Sequence, residues 1–437
     1  MALLRKLSLL AGLIALVLVL VGLAGVGSAL WRPAAVVAAV GLAFGLGVVP
    51  AWRGYQFTLW IVAAVTASMI YPGAFLHLGG VDLRNKWLVL IVVQLVMFGM
   101  GTQMSLRDFG GIVRTPRGVL VGILCHFSVM PLVGFGLTRL FHFPPEIAAG
   151  VILIGSCSSG LASNVMAYLA GANLALSVTV TAVTTMLAPL FTPLWMKLLA
   201  GTLVHVDVVG MMMEIVKIVI VPIGAALLHD YLRHASPKGR RRVWAVTALS
   251  LAWLAAMALG GWNWLAGRSG GSELLALSVV GFIAGAVVFG VAFHLVSSRA
   301  RWISRTMPLA SMAGIVYFTT VTTAAGRDNL LQVGALLFLA AVLHNGAGYF
   351  FGYWLSRASG LDRNSARAVA FEVGLQNGGM ATGLAGAMGK LGTVGLASAI
   401  FSPWMNVSGS VLANHWKRRP ASETNRKAGS EEPESGI

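Results

Sequence analysis

The stretch FEVGLQNGGMATG, residues 371–383, sets a carboxylate and two amides, Glu372, Gln376 and Asn377, inside an otherwise apolar run and then breaks into glycines. Such groups are costly in hydrocarbon unless protein or a water-filled cavity satisfies them. An ionisable residue in that setting marks a functional site, and its partner has to be named. No lysine or arginine in the neighbouring apolar runs is an obvious partner for Glu372. Two states therefore remain open: Glu372 stays protonated, or it neutralises a bound cation. Sodium suits the second, being a hard ion that takes several oxygens. A carboxylate, amide and hydroxyl oxygens, and carbonyls freed by unwound backbone would supply them, as in the coupling-ion sites of secondary transporters.

The rest of the chain explains why these groups sit in hydrocarbon. Of 437 residues 57% are hydrophobic and 10% charged, against about 25% charged in soluble domains. Apolar runs of roughly 20 residues, each able to span a bilayer as a helix, recur from end to end. The periodicity predicts about fourteen, at 7–30, 34–50, 56–77, 88–104, 118–140, 147–169, 173–199, 207–229, 243–265, 274–297, 307–325, 331–355, 364–389 and 392–414. The fold class is thus an all-α polytopic membrane protein. The first run, preceded by Arg5 and Lys6, is longer than a signal peptide's apolar region and reads as a retained helix. The polar tail over 417–437 reads as disordered and cytoplasmic.

A net charge of +17 invites a nucleic-acid reading, which the distribution excludes. The cations cluster in alternate loops, at Arg5 and Lys6, Arg53, residues 107–117, 233–242, 299–305 and 357–367, and after Lys417. The intervening loops are cation-poor. The positive-inside rule makes the first set cytoplasmic, so both termini are expected inside a plasma (inner) membrane. The partners expected are lipid, an ion and a small solute, with no nucleic acid. Cys125 and Cys157 both fall in apolar runs and offer neither a disulfide framework nor metal-ligand spacing. No cofactor and no transition metal is expected.

Two further segments are rich in polar groups. Over 155–185, GSCSSGLASNVMAYLAGANLALSVTVTAVTT, small and hydroxyl residues crowd a place where a straight helix should continue, so the helix is expected to break. Ser177 and Thr181 follow one turn apart on one face, where their hydroxyls can meet the break near Ser163 and Asn164. Taken singly, a membrane-helix hydroxyl usually bonds the preceding turn. The other segment, CHFSVMP, puts His126 in mid-span. His344 and Asn345 read as an interhelical hydrogen-bonding pair, and Glu214 with Lys217 as a self-neutralised pair one turn apart.

Taken together, these residues resemble the bile acid:sodium symporter family over about residues 57–416. The family's E-V-G-x-Q-N-x-G reads Glu372-Val373-Gly374-Leu375-Gln376-Asn377-Gly378-Gly379 here. A-S-N-V is Ala162 to Val165, A-L-S-V-x-x-T is Ala175 to Thr181, L-H-N is Leu343 to Asn345 and N-x-S-G-S is Asn406 to Ser410. The resemblance implies a ten-helix core of two inverted five-helix repeats, split into a panel and a core domain, with two broken helices crossing near the midplane. About four helices are extra. The division it implies is an N-terminal pair over 1–55, the first repeat and core helix six over 56–230, an inserted hairpin over 231–305, core helices seven to ten over 306–416, and the tail. By resemblance, one sodium site uses Ser163, Asn164, Ser177, Thr181 and Glu372. A second uses Glu372, Gln376 and main-chain oxygens of Val373 and Leu375. Substrate sits near Asn377, Asn406 and Asn164.

This chain departs from the pattern at two sites besides the extra helices. His126 stands where the family places a glutamine that completes the second sodium site. A neutral imidazole offers one lone pair and a protonated one repels sodium, so His126 is carried as a second-site ligand or as a proton-responsive group. Ser158-Ser159-Gly160-Leu161 replaces P-G-G-T, so the hinge loses its proline and substrate preference is expected to differ from the bile-acid members. The function expected is sodium-coupled symport of an organic anion by alternating access. A proton-coupled or mixed-ion carrier is the alternative, and a non-transporting sensor or scaffold a further one. Neither H-E-x-x-H nor G-x-S-x-G occurs and no aspartate lies in mid-span, which argues against a membrane enzyme.

Overall fold

A computed structural model describes residues 1–24, 30–49, 56–268 and 270–419. The chain runs α1 (Ala2–Leu23), α2 (Trp31–Gly45), α3 (Gln56–Ile70), α4 (Lys86–Gly101), α5 (Pro116–Phe141), α6 (Pro145–Ser156), α7 (Ala162–Leu169), α8 (Leu174–Ala200) and α9 (Val208–His234). It continues through α10 (Pro237–Ala266), α11 (Gly271–Arg299), α12 (Arg301–Ala325), α13 (Arg327–Ala358), α14 (Arg363–Gly374), α15 (Gly378–Ala387) and α16 (Val394–Lys417). Two-residue strands, β1 (His77–Leu78) and β2 (Val81–Asp82), pair antiparallel in the loop before α4. Each expected apolar run is present as a helix or a broken pair. Among the described residues nine helices are long and apolar enough to cross a membrane alone. The other runs are the short α3, the bent α4 segment, the polar α16, and the pairs α6–α7 and α14–α15. The chain is an all-α polytopic membrane protein. The expected tail lies, from residue 420 on, outside the described residues, as does Arg53.

The broken pairs lie deepest. Every residue from Ile147 to Ser156 and from Ser365 to Gly374 is buried. Each pair stops for a local reason. α6 ends where Cys157 turns extended, and α14 ends where Leu375 does. Asn377 then restarts the second helix as its N-cap, its Oδ1 accepting from the Met380 amide at 3.0 Å. Around these pairs α5, α8, α13 and α16 pack as one group, while α3, α4, α9 and α12 pack as another, meeting the first through α4 on α15, α9 on α8 and α12 on α16. The extra helices lie outside both. α1 and α2 pack on each other and reach the rest through α2 on α3, while α10 packs on α11 and α11 on α9. The α1–α2 seam is closed by glycines: a Cβ on Gly12 would meet the Leu42 amide at 2.9 Å, and one on Gly45 the Leu9 amide at 2.5 Å. Close approach over small residues is how helices associate where lipid removes the hydrophobic drive.

Candidate functional site

The two breaks meet. Ser159 pairs with Gln376 in an isolated antiparallel bridge, the Gly160 amide donating to the Leu375 carbonyl at 2.9 Å and the Asn377 amide to the Ser158 carbonyl at 2.8 Å. Backbone groups lost to each helix are thus satisfied by the other break, the condition for irregular backbone at membrane depth. The approach needs Gly160, where a Cβ would fall 2.8 Å from the Gln376 carbonyl oxygen.

One turn before its break, fully buried Glu372 points at α7 and α8. Its Oε1 accepts from Ser163 Oγ at 2.6 Å and Ser177 Oγ at 2.5 Å, and its Oε2 from Thr181 Oγ1 at 2.7 Å. Asn164 Oδ1 lies 2.9 Å from Ser177 Oγ and 3.2 Å from Thr181 Oγ1, and the Gly160 carbonyl 2.8 Å from Ser163 Oγ. Three hydroxyls carry three protons, and six oxygen contacts compete for them. About half of those contacts therefore bring lone pairs together. Among the described residues no lysine or arginine pairs with Glu372. The cage is rich in oxygens, and no cationic side chain among the described residues neutralises Glu372 if it is ionised.

The five residues of the first expected sodium site are brought together. The second set is arranged differently. Its carbonyls already have donors: Val373 O takes the Gln376 side-chain amide at 2.7 Å and Leu375 O takes the Gly160 amide. Gln376 Oε1 is buried without a hydrogen-bond partner among the described residues. The His126 ring bridges the breaks, with Nδ1 2.9 Å from Glu372 O and Nε2 2.9 Å from Cys157 O. Both neighbours are acceptors, so neither ring nitrogen turns a free lone pair to the site. Asn377 is buried and spends its oxygen as an N-cap, while Asn406 is half-buried on α16 and its side chain makes no hydrogen bond to a described residue. Their neighbour Met405 accepts from the Gln376 amide through sulfur at 3.2 Å.

The expected pairs also form. His344 Nε2 lies 3.0 Å from Met130 O, Asn345 donates to Gly374 O at 2.7 Å, and Lys217 pairs with Glu214. Sequence reasoning missed Ser159 as a member, although it lay in the predicted break. Its Oγ sits 3.4 Å from Ser163 Oγ and 3.3 Å from Leu375 O. It also missed Tyr349, whose hydroxyl reaches Ser408 at 3.2 Å and so braces Asn345 from α13 to α16. No spacing signal could have found that contact.

Comparison with known proteins bears on this geometry. Residues 90–264 match the model of the Sodium Bile acid symporter family. The chain is 33% identical over 370 residues, 84% of itself and 92% of the relative, to "Uncharacterized sodium-dependent transporter YocS" of Bacillus subtilis. The chain belongs to the sodium/bile acid symporter family. Within that family it is 26% identical to "Probable sodium/metabolite cotransporter BASS1, chloroplastic" of Arabidopsis thaliana, over 83% of this chain and 73% of that one. It is also 28% identical to the human "Ileal sodium/bile acid cotransporter", over 66% of this chain and 65% of that one. The chain is thus a multi-pass membrane protein of a family of sodium-dependent transporters, and not an enzyme.

Proposed function

We propose that this protein is a symporter of an organic anion, driven by sodium bound at Glu372 and working by alternating access in the plasma membrane. The observation that carries the reading is the proton-poor cage, in which Glu372, Ser163, Ser177, Thr181 and Asn164 offer more oxygens than hydrogens. A sodium ion there neutralises the carboxylate and lets the three hydroxyls turn their protons to Asn164, Gly160 and other acceptors. The ion lies on α7, α8 and α14, so its binding tightens the crossing of the two breaks. Substrate binds beside that crossing, near Asn377 and Asn406, where α7 and α15 begin; helix N-termini favour a negative group. The ten-helix core is read as two inverted repeats, α3–α8 and α9 with α12–α16, each carrying one broken pair.

The test needs no substrate. A ligand that binds only the folded state stabilises it, by about 2.7 kcal/mol at 100 times its Kd. Sodium, against potassium and choline at equal ionic strength, should raise the melting temperature of the purified protein, and Glu372→Ala should abolish the rise. An undiminished sodium response in Glu372→Ala would overturn the assignment.

A second reading, mixed-ion coupling, is favoured by His126. A neutral imidazole has one N–H to offer two carbonyls at 2.9 Å, whereas an imidazolium satisfies both. On this reading the proton on His126 replaces the family's second sodium, and Gln376 Oε1 lacks the ion it would otherwise hold. Glu372 and His126 then titrate as a linked pair. His126→Gln should make the sodium dependence steeper, moving the Hill coefficient from about one to above one, and should flatten the pH dependence of the sodium response. An unchanged Hill coefficient and pH profile would exclude the proton's role.

A further inference from the structure

The inserted pair α10–α11 takes no part in the crossing, yet it walls a cavity of about 840 Å³ against α9 and α12. The cavity is lined by His229 and Arg233 of α9, Arg240 of α10, His294 of α11 and Arg305 of α12, with Ser297, Ser298 and Ser304 between them. Among the described residues none of the three arginines makes an ion pair or a side-chain hydrogen bond. Asp230, the carboxylate nearest in sequence, is turned elsewhere. Its Oδ2 accepts from Ser105 Oγ at 3.0 Å and from the Leu106 amide at 3.4 Å. The two histidines face each other, Nδ1 to Nδ1, at 3.2 Å. Three fixed positive charges from three different helices therefore line one concavity whose wall holds no carboxylate, with Asp230 beside it bonded to Ser105 and Leu106.

We infer that this cavity is a binding site for a phosphate-bearing anion. Its volume lies in the usual range of ligand sites, about 300–1,000 Å³. The guanidinium fork matches phosphate oxygens two at a time, and hydroxyls beside it supply further donors. It sits on the face that loop charge assigns to the cytoplasm, where basic pockets between transmembrane helices take lipid head groups. A second, apolar cavity of about 630 Å³ lies further along the same helices, between α9–α11 and α4, with Trp253, Phe282 and Phe289 in its wall. On α9 the two linings are one turn apart, Ala225 in one and His229 in the other. Head-group chemistry and acyl-chain chemistry thus follow one another along the seam that the inserted hairpin creates. The inserted pair then serves to hold an anion against α9 and α12.

The test uses the full chain purified in detergent. Its thermal stability is measured with cardiolipin, with phosphatidylcholine, with inorganic pyrophosphate and with no addition. Wild type is compared with Arg233→Gln/Arg240→Gln/Arg305→Gln, with the same three sites changed to Lys, and with Arg363→Gln as a distant cation control. The expected result is a rise with cardiolipin or pyrophosphate, absent with phosphatidylcholine. It should be lost in the Gln triple, partly kept in the Lys triple and unchanged in Arg363→Gln. A rise with cardiolipin alone identifies a lipid head group, and one with pyrophosphate as well identifies a soluble phosphate ester. Equal responses to phosphatidylcholine, or an undiminished rise in the Gln triple, would overturn the site. Should the Gln triple not fold, the Lys triple decides: charge without the fork must bind more weakly than wild type, and an equal response overturns the site. Sodium binding at Glu372 is not involved in either outcome.

Discussion

Glu372 is held by three hydroxyls on two other helical segments, so each of the three is worth more than an ordinary membrane-helix serine. In the proposed sodium-bound cage each hydroxyl oxygen turns to the ion, and losing a polar contact to a charge costs about 1.5–3 kcal/mol, about tenfold to a hundredfold in affinity. Ser177→Ala and Thr181→Ala should therefore each weaken sodium binding by that factor in the stability titration, without destroying the fold. Ser128→Ala, which removes an exposed hydroxyl bonded only to Leu124 O of its own helix, should leave sodium affinity unchanged. Equal effects at the three positions would mean that the cage does not bind the ion. These residues were legible because their spacing is helical: Ser177 and Thr181 had to share a face, and Glu372 had to find a partner. Ser159 and Tyr349 were not, since their contacts join segments whose relative placement no local pattern encodes. His126 was half legible. Its mid-span position marked it as functional, but only the two facing carbonyls show that both ring nitrogens are committed.

At the scale of elements, the crossing of α6–α7 with α14–α15 depends on backbone meeting backbone. A methyl on Gly160 would have to displace the Gln376 carbonyl, which is itself fixed in the bridge. Overpacking of that kind costs about 1–3 kcal/mol. Gly160→Ala should lower the melting temperature and also reduce the sodium response, because Ser163 and Asn164, two of the proposed ion ligands, ride on the segment that moves. Gly136→Ala, where nothing lies within 4 Å of the added Cβ, is the matched control and should do neither. Both breaks could be read in advance from sequence: glycines, small residues and polar side chains together have no reason to continue an apolar helix. That the two breaks hydrogen-bond each other had no sequence signature, because the pairing residues are more than two hundred positions apart.

For the whole molecule, loop charge makes a prediction about sidedness. Cys125 and Cys157 are buried, so the chain is a quiet background for labelling single introduced cysteines. An impermeant maleimide should label His77→Cys, in the cation-poor loop before α4, in intact cells. It should reach Ser359→Cys, between α13 and α14, only after the membrane is opened. The opposite pattern would invert the topology. The number of apolar runs and the alternation of loop charge support each other here, since one miscounted helix would have scrambled every later loop. The extra helices could be counted from sequence but not understood. The basic cavity needs side chains from four helices, and each of its arginines, read alone, is an ordinary loop cation.

The tie between the two breaks is made of main-chain amides and carbonyls, contributed by Ser158, Gly160, Leu375 and Asn377. A joint of that kind tolerates drift in the residues that form it, provided Gly160 stays small. The chain can thus exchange a proline-bearing hinge for Ser158-Ser159-Gly160-Leu161 and keep the same crossing. Side chains that project from the crossing can change without undoing it, because the joint does not use them. On the proposed reading, one ion cage behind such a joint can serve solutes of different shape.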